Sequence, residues 1–257
     1  MTTKYLNLES NNPMEVNFSM FALLLLTSIT AYFIKGLVGF GPSLLLVPIL
    51  SLFVDFKSAV VIATMADISS GLIIVIKERK RIHLHKIFVI ALGLMIGTLL
   101  GVSLFNLFSM HLLKRLYGIM LIFLVLQSVI KKQHEPEVFH KVKAFFAGFL
   151  GGICGGLFNT NGPPIVMYLN KVVHDHKFLR SNISAIFAVD ALWRGFLFWQ
   201  QGLLATPLLK LYLALILPGL LVGLYLGNKS LEKINKKTVS SFIEMLLFTI
   251  GCGMLFR

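Results

Sequence analysis

Lys35, Asp67, Asp190 and Arg194 stand inside otherwise apolar runs of the chain, and Glu244 stands early in the last of them, where it can reach to the interface. A charge in such a run is costly, so it marks an ion or substrate path or finds a partner. Asp190 and Arg194 are four residues apart, which puts them on one helix face where they can pair. That pair reads either as a structural ion pair or as an anion-binding arginine oriented by its aspartate. Asp67 has no arginine at the matching place, where Ser70 and Gly71 stand. It reads as a proton-coupling carboxylate, with Asp190 as its counterpart. Lys35 reads as a substrate-pathway cation or as a lysine whose stem reaches to an interface.

Two clusters of glycine, proline and small polar residues interrupt the apolar runs. One holds Gly36, Gly39, Gly41, Pro42 and Ser43; the other holds Asn159, Thr160, Asn161, Gly162, Pro163 and Pro164. Glycine admits unusual backbone angles, and proline fits the first turn of a helix that restarts. A restarting helix directs free N–H groups and its positive dipole end at whatever lies before it, a natural place for an anion. Hydroxyl and amide groups at 43 and 159–161 add neutral donors. The competing reading is a kink whose polar groups are satisfied locally. The expected substrate-binding residues are therefore Lys35, Gly36, Gly39, Gly41, Ser43, Asn159, Thr160, Asn161, Gly162 and Arg194, with Asp67 and Asp190 carrying protons.

The surrounding elements are membrane helices. Of 257 residues, 56% are hydrophobic and 14% charged, against about 45–50% and 25% in soluble domains. Runs 86–108 and 207–227 are nearly uncharged inside and have the ~20-residue length that crosses hydrocarbon as a helix. The net charge of +13 sits in short loops, the pattern of positive-inside signals and not of a nucleic-acid surface. Cys154 and Cys252 lie in apolar runs without CxxC spacing, and the histidines fall in or beside loops without metal-site spacing. No GxSxG, HExxH or P-loop occurs, so no catalytic residue, metal or cofactor is expected, and no ATP-driven pump. The first 17 residues lack the apolar core of a cleavable signal peptide.

Apolar blocks fall at about 18–54, 58–76, 86–108 and 112–130, then 143–170, 178–200, 207–227 and 238–256. The order recurs between halves: Gly93, Gly97 and Gly101 match Gly219, Gly223 and Gly227; Asp67 matches Asp190; GPSLLLVP at 41–48 matches GPPIVMYL at 162–169. This implies a tail at 1–17, a first membrane repeat at 18–130, a cytoplasmic linker at 131–142 and a second repeat at 143–257. The glycine ladders read chiefly as faces for close helix packing. Loop charge runs low, high, low in the first half (Lys57; Lys77 to Lys86; Lys114 and Arg115) and high, low, high in the second (Lys171 to Arg180; none across 201–207; Lys229 to Lys237). Equivalent loops then lie on opposite sides, so the repeats are expected to be inverted. Inversion needs an odd number of crossings per half, which follows if the broken first block of each half enters and returns as a hairpin.

GLVGFGPSLLLVP and GGICGGLFNTNGPPIVMYL, within a duplicated bundle of this length, resemble the two signatures of the sulfite exporter TauE/SafE family of membrane transporters. The likeness spans nearly the whole chain; the first motif has fewer glycines than the family often shows, with Lys35 beside it. The resemblance implies an inner-membrane, multi-pass permease for sulfite, sulfonates or small carboxylates. The expected protein is an all-α polytopic secondary transporter, proton-coupled, whose partners are a small anion, a coupling proton or cation, and the bilayer. A passive anion channel or a membrane accessory subunit is the alternative, and an intramembrane enzyme lies further off.

Overall fold

The computed structural model describes residues 18–78, 84–129, 139–172, 176–205, 208–230 and 236–255. The tail 1–17, most of the linker 131–142 and the basic residues Arg79, Lys80, Arg81 and Lys233 lie outside the described residues. The described residues are helical throughout, with short connections. In chain order the helices are α1 (Phe18–Val38), α2 (Ser43–Leu50), α3 (Phe56–Glu78), α4 (Leu84–Leu107) and α5 (Met110–Val129). The second half follows with α6 (Lys141–Phe158), α7 (Gly162–Val172), α8 (His176–Gln200), α9 (Leu208–Lys229) and α10 (Lys236–Leu255). Among them α1, α3, α4, α5, α6 and α9 are long and apolar enough to cross a membrane. α3 is the most enclosed of the six and α5 the most exposed. Leucine, isoleucine and phenylalanine stud the outer surface, including Ile119, Phe123 and Leu126 on α5. Apolar surface on that scale is stable against lipid tails and unstable against water.

Each first block is broken. α1 stops at Val38, and Gly39 and Gly41, at φ +90° and +92°, turn the chain into α2. α6 stops at Phe158, where Asn159 takes a left-handed conformation (φ 58°) and its N–H bonds the Gly155 carbonyl at 2.8 Å. Asparagine is one of the few residues other than glycine that ends a helix this way.

Close glycine contacts set the helix pairs. In a bilayer the lipid is as apolar as leucine, so helices associate by fit. The two most extensive contacts are α4 with α6 and α1 with α9. Gly93, Gly97 and Gly101 approach Phe145, Phe149 and Ile153 in order, so α4 and α6 run parallel. Gly219, Gly223 and Gly227 approach Leu25, Ile29 and Phe33 in the same way, so α9 and α1 run parallel. α3 and α8 are antiparallel, since Gly71 meets Ala188 while Gly195 meets Ile68 and Met65. α5 and α10 are also antiparallel, through Gly118 with Met254 and Ile122 with Gly251. Two groups result: α1, α2, α3 and α9 pack on one another, and so do α4, α6, α7 and α8. The groups meet chiefly where α3 crosses α8, with the α5–α10 pair beside them.

These contacts make a prediction about stability. A Cβ on Gly97 would fall onto the backbone of Phe149 and Gly152. Gly97→Val therefore forces α4 from α6 and lowers stability by about 1–3 kcal/mol, as overpacking does. Gly253, with nothing near its missing Cβ among the described residues, tolerates the same change. Thermal unfolding of the two variants in detergent checks the contrast.

Candidate functional site

The central ion pairs are built differently in the two halves. Arg194 sits one turn after Asp190 on α8, with Nη1 3.0 Å from Asp190 Oδ2. Asp67 receives its cation from another helix: Lys35 Nζ on α1 lies 2.7 Å from Asp67 Oδ1 and 2.6 Å from Ser70 Oγ. Lys35 is 5% exposed, so its ammonium turns inward and does not reach an interface. Its charge also lies 5.7 Å from the Tyr32 ring centroid. All four charges are buried and balance pairwise, the condition under which a dry interior holds them.

The 159–161 segment joins the two pairs. Asn159 Nδ2 donates to Asp67 Oδ2 at 2.9 Å and to Ser43 Oγ at 2.8 Å, and the Ser43 hydroxyl donates to the same carboxylate oxygen at 3.0 Å. Thr64 Oγ1 lies 3.1 Å from Asn159 Oδ1 and 2.9 Å from the Val60 carbonyl; its single proton serves one of them at a time. Two residues on, Asn161 Nδ2 donates to Asp190 Oδ2 at 2.9 Å, while the Thr98 hydroxyl donates to Asp190 Oδ1. Tyr117 on α5 donates to the Ser43 carbonyl at 3.0 Å and steadies the start of α2.

Lys35, Gly41, Ser43, Asp67, Asn159, Thr160, Asn161, Gly162 and Arg194 line one cavity, closed further by Phe40, Pro42 and Phe187. Its volume is about 20 Å³, room for about one water. Arg194 is 1% exposed, and its Nε and Nη1 have no hydrogen-bond partner among the described residues. Nη1 is near Asp190 but not aligned to donate to it, so the contact is an ion pair without a hydrogen bond. Gly155 makes room for this guanidinium, since a Cβ there would stand 2.8 Å from Nη1.

Three expected residues lie elsewhere. Gly36 packs against Gly227 and Asn228 of α9, and Gly39 against Ser184 and Arg180 of α8. Asp190 is fully buried behind the cavity wall. The helix ends also differ from a bare donor cradle. N–H groups of Leu44, Leu45 and Leu46 bond the Gly41 and Pro42 carbonyls. Pro163 and Pro164 supply no N–H at the start of α7. Side chains therefore carry most of the donor capacity. Thr64, Ser70, Thr98 and Tyr117 belong to the polar network and were not expected. A lone hydroxyl in an apolar run signals little, because it can bond its own helix. Among the described residues no cluster of histidine, cysteine or acid side chains has metal-site geometry.

The family model described as Sulfite exporter TauE/SafE matches residues 24–254. No curated protein and no solved structure matches the chain.

Proposed function

The chain belongs to the sulfite exporter TauE/SafE family of membrane transporters, and on that premise we propose a secondary, proton-coupled carrier of a small sulfur-containing or organic anion. Sulfite, sulfonates and short carboxylates are the substrate class, and the inner cell membrane is its site. The observation that carries this reading is the buried Arg194, which lines the cavity with two nitrogens lacking a hydrogen-bond partner among the described residues. An uncompensated donor on a buried cation is costly, and an oxyanion satisfies it.

Charge balance supports the coupling. The two aspartates neutralise Lys35 and Arg194, so an entering anion brings uncompensated negative charge into a low-dielectric site. A proton on Asp67 removes that excess and leaves the Lys35 ammonium for the anion. Asp190 plays the lesser part, being sealed behind the wall.

The antiparallel course of α3 against α8 and of α5 against α10 supports inverted repeats, with each broken block as a hairpin. A 20 Å³ cavity is too small for sulfite. It supports a carrier that opens to one face at a time over an open pore.

Uptake into proteoliposomes tests the reading. Sulfite or a short sulfonate should be accumulated when a proton gradient is imposed and should show counterflow, which a channel does not. Asp67→Asn should abolish gradient-driven accumulation while retaining anion exchange. Gradient-driven accumulation at the wild-type level in that variant would remove Asp67 from coupling.

A further inference from the structure

Asp67 and Asp190 each have a cation ten residues earlier on the same helix, Lys57 on α3 and Arg180 on α8. Ten residues of helix span about 15 Å. Because α3 and α8 are antiparallel, the two cations stand at opposite ends of the molecule, each about 15 Å from its own central aspartate. Both reach across the boundary between the two helix groups. Arg180 Nη2 on α8 donates to Asn228 Oδ1 at the end of α9. Lys57 Nζ on α3 donates to the Asn106 carbonyl at the end of α4, at 3.3 Å, and lies 5.4 Å from the Phe105 ring centroid. The Lys35–Asp67 pair lies within one group and the Arg194–Asp190 pair within the other.

At the Arg180 end a second bond crosses: the Ser184 hydroxyl donates to the Gly39 carbonyl at 3.2 Å. Gly39 cannot accept a side chain without pressing on Ser184 and Arg180. At the centre, Asn159 of one group bonds Ser43 and Asp67 of the other. The groups are thus tied at the middle and at both ends, in keeping with the closed cavity between them.

We infer that Arg180 and Lys57 are the two gate residues of the transport cycle, each bonding the helix groups together at its own end. Release of the Arg180–Asn228 contact opens the cavity to one face of the membrane. Release of the Lys57–Asn106 contact opens it to the other. The inference rests on the carrier reading above and adds the residues that decide which face is open.

Side-specific labelling tests it. In a chain carrying Cys154→Ala, Cys252→Ala and Ser43→Cys, a membrane-impermeant thiol reagent is applied to right-side-out and to inside-out vesicles. Arg180→Gln is expected to speed labelling from one face about tenfold, the population shift that follows loss of one charge-assisted hydrogen bond. Lys57→Gln should do the same from the opposite face. Asn228→Leu, which removes the Arg180 contact from the α9 side, should reproduce the Arg180→Gln result, and Arg180→Lys and Lys57→Arg should keep the parental rates. Acceleration from the same face by both glutamine variants overturns the inference, as does no change in either while sulfite uptake persists in the same two variants with Ser43 intact. Protection of the Ser43→Cys thiol by a short alkanesulfonate, which unlike sulfite does not consume the thiol reagent, reports separately on the binding site. Lost protection with opposite-face labelling intact counts against that site and supports the gates.

Discussion

Arg194→Gln is expected to reduce anion uptake on the order of a hundredfold, the loss that follows when one member of a buried charge contact is truncated. The reason is positional. Arg194 is buried, its Nε and Nη1 have no hydrogen-bond partner among the described residues, and it lines the cavity that Ser43, Thr160 and Asn161 share. The single variant also leaves Asp190 without its cation, so low uptake could follow from poor folding. Arg194→Gln combined with Asp190→Asn removes both charges and keeps groups of similar size beside Thr98 and Asn161. The double variant should fold as the parent does, judged by gel filtration and thermal unfolding, and should still fail to take up sulfite. Restored uptake in it would make the pair a structural contact and return the anion site to Lys35 alone.

The second large effect is on stability. Lys35→Met leaves the Asp67 carboxylate buried with only the Ser43 and Asn159 donors, and its expected cost is about 3–5 kcal/mol, the range for breaking a buried ion pair from one side. Lys35→Met together with Asp67→Asn should recover most of that loss, because an amide at 67 carries no charge and its oxygen still accepts from Ser43 and Asn159. Chemical unfolding in detergent, followed by intrinsic fluorescence, measures the series. A single variant as stable as the double one would mean that Asp67 is already neutral in the folded protein.

These two pairs also separate what could be read along the chain from what could not. Asp190 and Arg194 are legible as partners because four residues on a helix return to the same face, whatever the helix packs against. The breaks at 39–42 and 159–161 are legible because glycine, asparagine and proline state backbone geometry locally. Apolar run length placed the helices to within a few residues: the block expected at 58–76 is α3 at Phe56–Glu78, and that at 178–200 is α8 at His176–Gln200. The partner of Asp67 was not legible. Lys35 lies 32 residues away on another helix, and whether its ammonium turns inward or reaches to an interface depends on the depth and rotation of α1. Those are set by Gly219, Gly223 and Gly227 of α9, nearly two hundred residues further on.

The same division holds for the site as a whole. The sequence by itself determined that this is a helical membrane protein of the TauE/SafE family, with two interrupted segments and four charges set among apolar residues. Composition, periodicity and glycine–proline chemistry act within a few residues, so they survive without knowledge of the fold. Only the tertiary structure decided that 159–161 would grip both aspartates, one through Asn159 and the other through Asn161. It also decided that Gly36 and Gly39 would serve helix contact, and that Arg194 would line the cavity with two nitrogens lacking a hydrogen-bond partner among the described residues. Those outcomes depend on how helices far apart in the chain rotate against one another, and in a bilayer close fit at glycine faces sets that rotation.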